Sequence, residues 1–294
     1  MIEPANSERE LQALLQLLDD PDQEIYTHVS DRLASYGPEI IPKLETYWEE
    51  ALDSILQERI EHIIRHIQFH GLQAGFKQWL ESESENLYRG ALLVARFQYA
   101  DLDEVKLRGE IDYIRRAIWL EMNYNLTPFE QINVFNHVFY SLMGFTGKSS
   151  DKQFSLPSYF INQVVESKRG NSISLGILYT ILAQELDMPV YGVNLPRHFV
   201  ACYTKDFLET LDEDEDLRDQ IICYINPLNR GTIFTRNEVT LYLKKIQEEP
   251  VKEHYLPIRN RETIKIYLQY LKQGYETDNN TEKLKELDEL LRLF

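Results

Sequence analysis

The sequence predicts an α+β protein, mostly helical through its first half and carrying a small antiparallel sheet in its second. Apolar residues recur at three- and four-residue spacing over residues 7–145, which is the helical period. Short β-rich segments bounded by Pro, Asn or Asp then follow an apolar helical run that begins near residue 172. Two further amphipathic segments close the chain.

In the first half, Leu11, Leu14, Leu15 and Leu18 form one apolar stripe, and Ile55, Ile60, Ile63, Ile64 and Ile67 form another. Capping boxes mark helix starts at Ser7 to Glu10 and at Thr127 to Glu130, where a hydroxyl and a carboxylate satisfy amides that lack partners within the helix. Stops are expected at Gly37, Gly71 and Gly144. Between Leu11 and Leu80 the helices are short and joined by Asp-Pro or Gly-Pro turns, as in HEAT-like helix pairs, although no exact repeat is present.

The pattern changes after Lys148. A helix is expected over residues 159–166 and a second over 172–186, separated by Lys168-Arg169-Gly170-Asn171. Strands are expected over 190–194, 198–203 and 221–226, with the 172–186 helix packed on their sheet. Residues 206–219 include LDEDED and read as a hairpin connection whose tip is too charged to be buried. It is either a solvated loop that blunts a sheet edge or a dock for a basic partner or a divalent cation. A strand-like 232–234 leads into a helix capped at Thr235 to Glu238. Helices over 261–275 and 282–293 pair like a single tetratricopeptide unit, too small to bury its own apolar face, so it should pack on the core or on a partner. The expected organisation is a helical region over 1–126, a core over 127–250 and a helix pair over 251–294.

Composition narrows the function classes. The formal charge of −17, from 48 acidic and 31 basic residues, disfavours a phosphate backbone as partner. The start MIEPANSERE has neither a basic nor an apolar leader region, and no apolar run approaches bilayer length, so a soluble cytoplasmic protein is expected. The two cysteines, Cys202 and Cys223, lack zinc-site spacing. They could face each other across neighbouring strands, though two buried thiols are the commoner outcome. No cofactor or metal is expected.

Three residues could carry chemistry. Ser172 opens a helix just after Gly170, His198 opens a strand, and Asn226 closes the following strand ahead of Pro227. That is the layout of a cysteine-type triad: a nucleophile at a helix N-terminus, a histidine base and a polar residue that fixes its tautomer. The bland alternative makes Ser172 a helix cap, His198 a hydrogen-bonded strand residue and Asn226 an Asx turn. Cys202 stands four residues beyond His198, roughly 13 Å along an extended strand, too far for proton transfer.

The segments INVFNHVFYSLMGFTG, RGNSISLGILY, LDMPVYGV, PRHF and INPLNRG occur in an order that resembles the YchA or SirB family of transglutaminase-like proteins, most strongly over residues 127–233. The resemblance implies a transglutaminase-like or papain-like core. It places Ser172 at the position of the nucleophilic cysteine, with Ser174 close by, His198 at the histidine and Asn226 at the usual aspartate. It also implies Gly where this chain has Arg197. Cleft or anion-binding candidates are Arg169, Gly170, Asn171, Ser174, Arg197 and Asn229.

A serine hydroxyl must lose its proton during attack, whereas a thiol at a helix N-terminus beside histidine is already partly ionised. Asparagine orients an imidazole but lends no charge to imidazolium. The reading is therefore a pseudoenzyme, a transglutaminase-like module that binds a protein or peptide. The alternative is a serine-dependent amidase, peptidase or acyl transferase using Ser172, His198 and Asn226. Elsewhere, His62, His66 and His70 recur every four residues; two could bind zinc, but one helix supplies only part of a coordination sphere, and a polar stripe is the expectation. His137 reads as a core-lining residue, and Lys168 with Arg169 is expected to pair with carboxylates of the protein.

Overall fold

The computed structural model describes residues 4–123, 125–147, 156–211 and 216–294, excepting the side chains of residues 4–8. The chain divides into two compact units, one ending at Gly75 and one spanning Phe76–Phe294.

The first unit is built from α1 (Pro4–Leu17), α2 (Gln23–Ala34), α3 (Ile41–Glu50) and the greater part of α4 (Ser54–Ser82). Its core joins most of the two stripes read from the sequence to residues of α2 and α3: Leu11, Leu15, Leu18, Val29, Leu33, Leu44, Ile60, Ile63 and Ile67 pack together, with Leu14 and Ile64 partly buried, whereas Ile55 is exposed. Each such side chain contributes on the order of 2 kcal/mol through burial. Gly37 adopts φ 77° and breaks the chain between α2 and the turn before α3. Gly71 does not stop a helix, since α4 runs through it. A glycine inside a helix costs only about 1 kcal/mol, less than the apolar period around it provides. Helix α1 already runs from Pro4, so Ser7 does not begin it; the Ser7 side chain lies outside the described residues.

The second unit continues with α5 (Leu87–Arg96), α6 (Glu104–Glu121) and α7 (Pro128–Asn136), the last opened by the full Thr127 to Glu130 capping box. A π-helical turn, His137–Leu142, extends α7 and ends before Gly144 at φ 77°. His137 is exposed there, not core-lining, because the wider turn sends Val138, Phe139 and Tyr140 inward instead.

Strand β1 (Thr146–Gly147) pairs in parallel with β2 (Arg169–Gly170), and α8 (Ile161–Ser167) lies between them in the chain. Helix α9 (Ser172–Gln184) is buried on nearly every side from Ile173 to Ala183. It packs on an antiparallel sheet of β3 (Val190–Leu195), β4 (His198–Thr204), β5 (Ile221–Asn226) and β6 (Thr232–Phe234), in that spatial order. The three expected strands and the strand-like 232–234 are thus all present. Between β4 and β5 the chain forms α10 (Leu217–Gln220); the acidic residues 212–215 lie outside the described residues.

Side-chain alternation gives the sheet two faces. Phe199 points to α9, where Gly176 leaves room for its ring. Val200, Cys202 and Tyr224 point the other way and pack with Val239 and Leu243 of α11 (Arg236–Lys245). Cys202 is registered against Tyr224, and Cys223 against Tyr203, so the thiols occupy opposite faces and both are free and buried. That register rules out a bridge between them.

The chain closes with α12 (Asn260–Asp278) and α13 (Thr281–Leu291), which pack on each other, while α12 also packs on α5, α9 and β3. Gly90 of α5 admits the Ile264 side chain at a distance where any Cβ would collide. Gln184 and Asn260 exchange amide hydrogen bonds of 3.1 and 2.9 Å and reach Val190 O and Glu85 O with their remaining donors. The C-terminal helices therefore bury their apolar face on the core of their own unit.

Candidate functional site

The corner at which β4 begins and β5 ends is organised by the turn Ile225 to Gly231. Asn226 caps the 3-10 turn Pro227–Asn229, its Oδ1 accepting the Asn229 backbone N–H at 3.2 Å. Pro227 supplies a fixed φ at the first position of that turn. Arg230 and Gly231 follow at φ 51° and 69°. Gly231 is required on two grounds: its backbone is left-handed, and a Cβ there would stand 1.9 Å from Asn136 Oδ1.

Two residues of the α7 and π-helical segment hold this turn from outside. Asn136 Nδ2 donates to Gly231 O at 2.8 Å, and its Oδ1 accepts from Tyr179 Oη of α9 at 3.1 Å. The buried Tyr140 hydroxyl donates to Pro227 O at 2.8 Å, and burial pushes its pKa well above the usual phenol range. Sequence reasoning missed both. The available signal was Asn136, a polar residue amid the apolar run Ile132 to Tyr140, while the π-turn that aims Tyr140 has no periodicity of its own.

His198 joins this frame. Its Nε2 lies 3.2 Å from Asn226 Oδ1. Because the Asn229 N–H can only meet an acceptor, the amide oxygen is fixed at that position, and the imidazole must donate from Nε2. Nδ1 therefore keeps its lone pair, the state a general base requires. Burial lowers the His198 pKa below 6.5, opposed by the Asn226 hydrogen bond, so the ring is neutral near neutrality. Its other neighbour is the Tyr242 ring at 6.3 Å, and Tyr242 Oη is anchored on Pro196 O at 2.9 Å.

Ser172 is the first residue of α9 and half-buried, but it is not the cap. Asn171 is: its Oδ1 accepts the Ser174 N–H at 3.0 Å, and Ser174 Oγ accepts the Asn171 N–H at 3.1 Å. Ser174 is fully buried and its hydroxyl also reaches Ser158 O at 2.7 Å, which commits that oxygen to structure. The N-terminal end of α9 is tied to the Asn226 turn by close backbone approach. Gly170 is registered against Gly147, and a Cβ on Gly147 would stand 2.4 Å from Leu228 O. The structure thus joins His198 to Asn226 and packs α9, which Ser172 opens, against the Pro227–Asn229 turn. Among the described residues, Ser172 Oγ makes no hydrogen bond to either.

The rim of the corner carries cations. Arg169 is exposed and makes no ion pair among the described residues, and Asn229 and Arg230 are also exposed. Arg197, 72% exposed, lies 3.8 Å from Glu248. Lys168 forms no ion pair with a carboxylate among the described residues; its Nζ sits 4.7 Å over the Phe145 ring, and burial lowers its pKa while Glu110 acts in the opposite direction. Cys202 and Cys223 contribute no nucleophile, since burial raises both thiols, that of Cys223 to about 11. No cluster of three or more His, Cys, Asp or Glu suited to a metal is present among the described residues. Nor is any described helix long and apolar enough to cross a membrane.

A family model described as the transglutaminase-like superfamily matches residues 105–269, which contain the whole of this corner. Among curated proteins, the chain is 30% identical over 125 residues to a UPF0162 protein of Xylella fastidiosa, covering 41% of this chain and 43% of that protein. It is 31% identical over 98 residues to a UPF0162 protein of Pasteurella multocida, covering 33% and 37%. A shorter match, 33% over 69 residues, is to F-box only protein 21 of Homo sapiens, covering 24% of this chain and 11% of that one. The chain spans less than half the length of these curated relatives. No solved structure matches it.

Proposed function

The chain belongs to the transglutaminase-like superfamily, and on that premise we propose that it is a non-catalytic member that binds a protein or peptide segment at the His198 and Asn226 corner. We group it with the YchA/SirB type on the motifs RGNSISLGILY and INPLNRG, and we read its C-terminal helix pair as tetratricopeptide-like. One observation carries the reading: the base and its orienter are bonded and anchored, while the Ser172 hydroxyl makes no hydrogen bond to the base among the described residues. The cationic rim of Arg169, Arg197 and Arg230 suits a segment bearing carboxylates.

The test compares partner capture from the source cell by wild type, Ser172→Ala and the charge reversal Arg169→Glu/Arg230→Glu. Capture unchanged in Ser172→Ala and lost in the charge reversal supports the reading. Capture abolished by Ser172→Ala in folded protein sinks it.

A serine-dependent amidase, peptidase or acyl transferase is the second reading, favoured by the neutral His198 with its Nε2 hydrogen committed to Asn226. A fluorophosphonate probe then labels Ser172 in wild type and not in His198→Ala. Folded wild type that takes up no label excludes it.

A further inference from the structure

On α4, Ile60, Ile63 and Ile67 are buried and fix which face of the helix is turned outward. His62, His66 and His70 stand one turn apart on the other side. The His66 and His70 rings meet edge to face at 4.3 Å between centroids, and their Nε2 atoms are 2.8 Å apart. The His62 and His66 rings are stacked at 6.5 Å, and His62 Nδ1 contacts Tyr26 Oη at 3.4 Å, which leaves His62 out of the convergence. The two Nε2 atoms share one hydrogen bond, so at any moment one lone pair is turned to the other ring, and rotation of the two rings on this helix brings both nitrogens onto a common ligand.

We propose that His66 and His70 form a surface chelate for a divalent first-row transition ion, copper(II) foremost. With metal–nitrogen bonds of about 2.05 Å and a cis angle near 90°, the two nitrogens stand about 2.9 Å apart, close to the 2.8 Å between the Nε2 atoms, so the rings need to turn towards a shared ion but not to move apart. A cis pair of imidazoles with water in the remaining positions suits the tetragonal geometry of copper(II), and the general order of affinities places copper above nickel and zinc. The ring that donates Nε2–H in the metal-free pair transfers that hydrogen to Nδ1 through solvent, so two neutral imidazoles bind the ion without net loss of a proton. Among the described residues no third protein ligand converges, which makes the site labile and accessible.

Chelator-treated full-length protein at pH 7.5 is titrated with copper(II), nickel(II) and zinc(II) by calorimetry, and the copper-loaded form is read by electron paramagnetic resonance. One copper per chain is expected, with nitrogen hyperfine structure and the order copper, nickel, zinc. His66→Gln and His70→Gln should each weaken binding at least about tenfold, because loss of one donor removes the chelate advantage. His62→Gln should change it less than twofold. Circular dichroism in chelator confirms that all variants are folded. Absence of saturable copper binding, binding in His66→Gln or His70→Gln as tight as in wild type, or a tenfold loss in His62→Gln would each overturn the site.

Discussion

One amide oxygen, that of Asn226, receives both the Asn229 backbone N–H and His198 Nε2. A carboxylate in its place would keep both hydrogen bonds and add a charge beside the ring. Asn226→Asp should therefore raise the His198 pKa, as followed by NMR titration of the ring protons; an unchanged or lowered value would contradict the contact. The sign carries into stability. The His198 pKa is lowered by burial, so the unfolded chain binds the proton more readily than the folded one. Its contribution is complete above pH 6.5 and is lost as pH falls from there towards the folded value, and Asn226→Asp should flatten that slope. The residue before His198 gives a different prediction. Arg197 sits at φ 64° after Pro196, in the two-residue turn between the paired Leu195 and His198. That position favours glycine, and the exposed pair with Glu248 offers little in return. Arg197→Gly should raise the unfolding free energy by about 0.5 kcal/mol, measured by urea denaturation.

At the scale of elements, Phe199 is the piece that locks α9 to the sheet. Its ring fills the space left by Gly176 on one side and Gly192 on the other, and a Cβ at either glycine would lie 2.4 Å from it. Helix propensity alone would score Gly176→Ala as stabilising by about 1 kcal/mol. The packing predicts the reverse, a loss of about 1–3 kcal/mol visible as a lowered thermal midpoint. This element was legible in the sequence as a helix against strands because a long apolar run after Asn171 is followed by short β-rich runs bounded by Pro, Asn or Asp. The Ile225 to Gly231 turn was legible too, since Asn, Pro and Gly each impose a specific backbone state. What escaped was local and non-periodic. The pairing of β1 with β2 involves two residues a strand, too few for a pattern. The π-turn depends on hydrogen bonds one residue longer than the helix around it, and so left His137 on the wrong side of the expectation. The choice of Asn171 over Ser172 as cap turned on a one-residue shift between two residues that both cap well.

Over the whole molecule, the excess of 48 acidic over 31 basic residues makes the folded chain repel itself. Screening should relieve this, so raising salt from about 10 to 150 mM should lift the thermal midpoint by about 1–3 °C, since the screening length shortens from about 30 to 8 Å. A midpoint that falls would mean that the ion pairs around Arg108, with Asp112 and Glu185, outweigh the net repulsion. The α+β class followed from the sequence because the helical spacing of the first half gives way to short β-rich runs after residue 190. The His198 and Asn226 contact followed only from chain order, and the residues that hold its frame, Asn136 and Tyr140, come from a helix far from it in sequence. The two thiols, one sealed on each side of the sheet, give the protein an internal clock. Both are shielded from an aqueous disulfide reagent while the sheet stays packed on its helices, so the rate at which such a reagent consumes them counts openings of the second unit and ranks the substitutions made there.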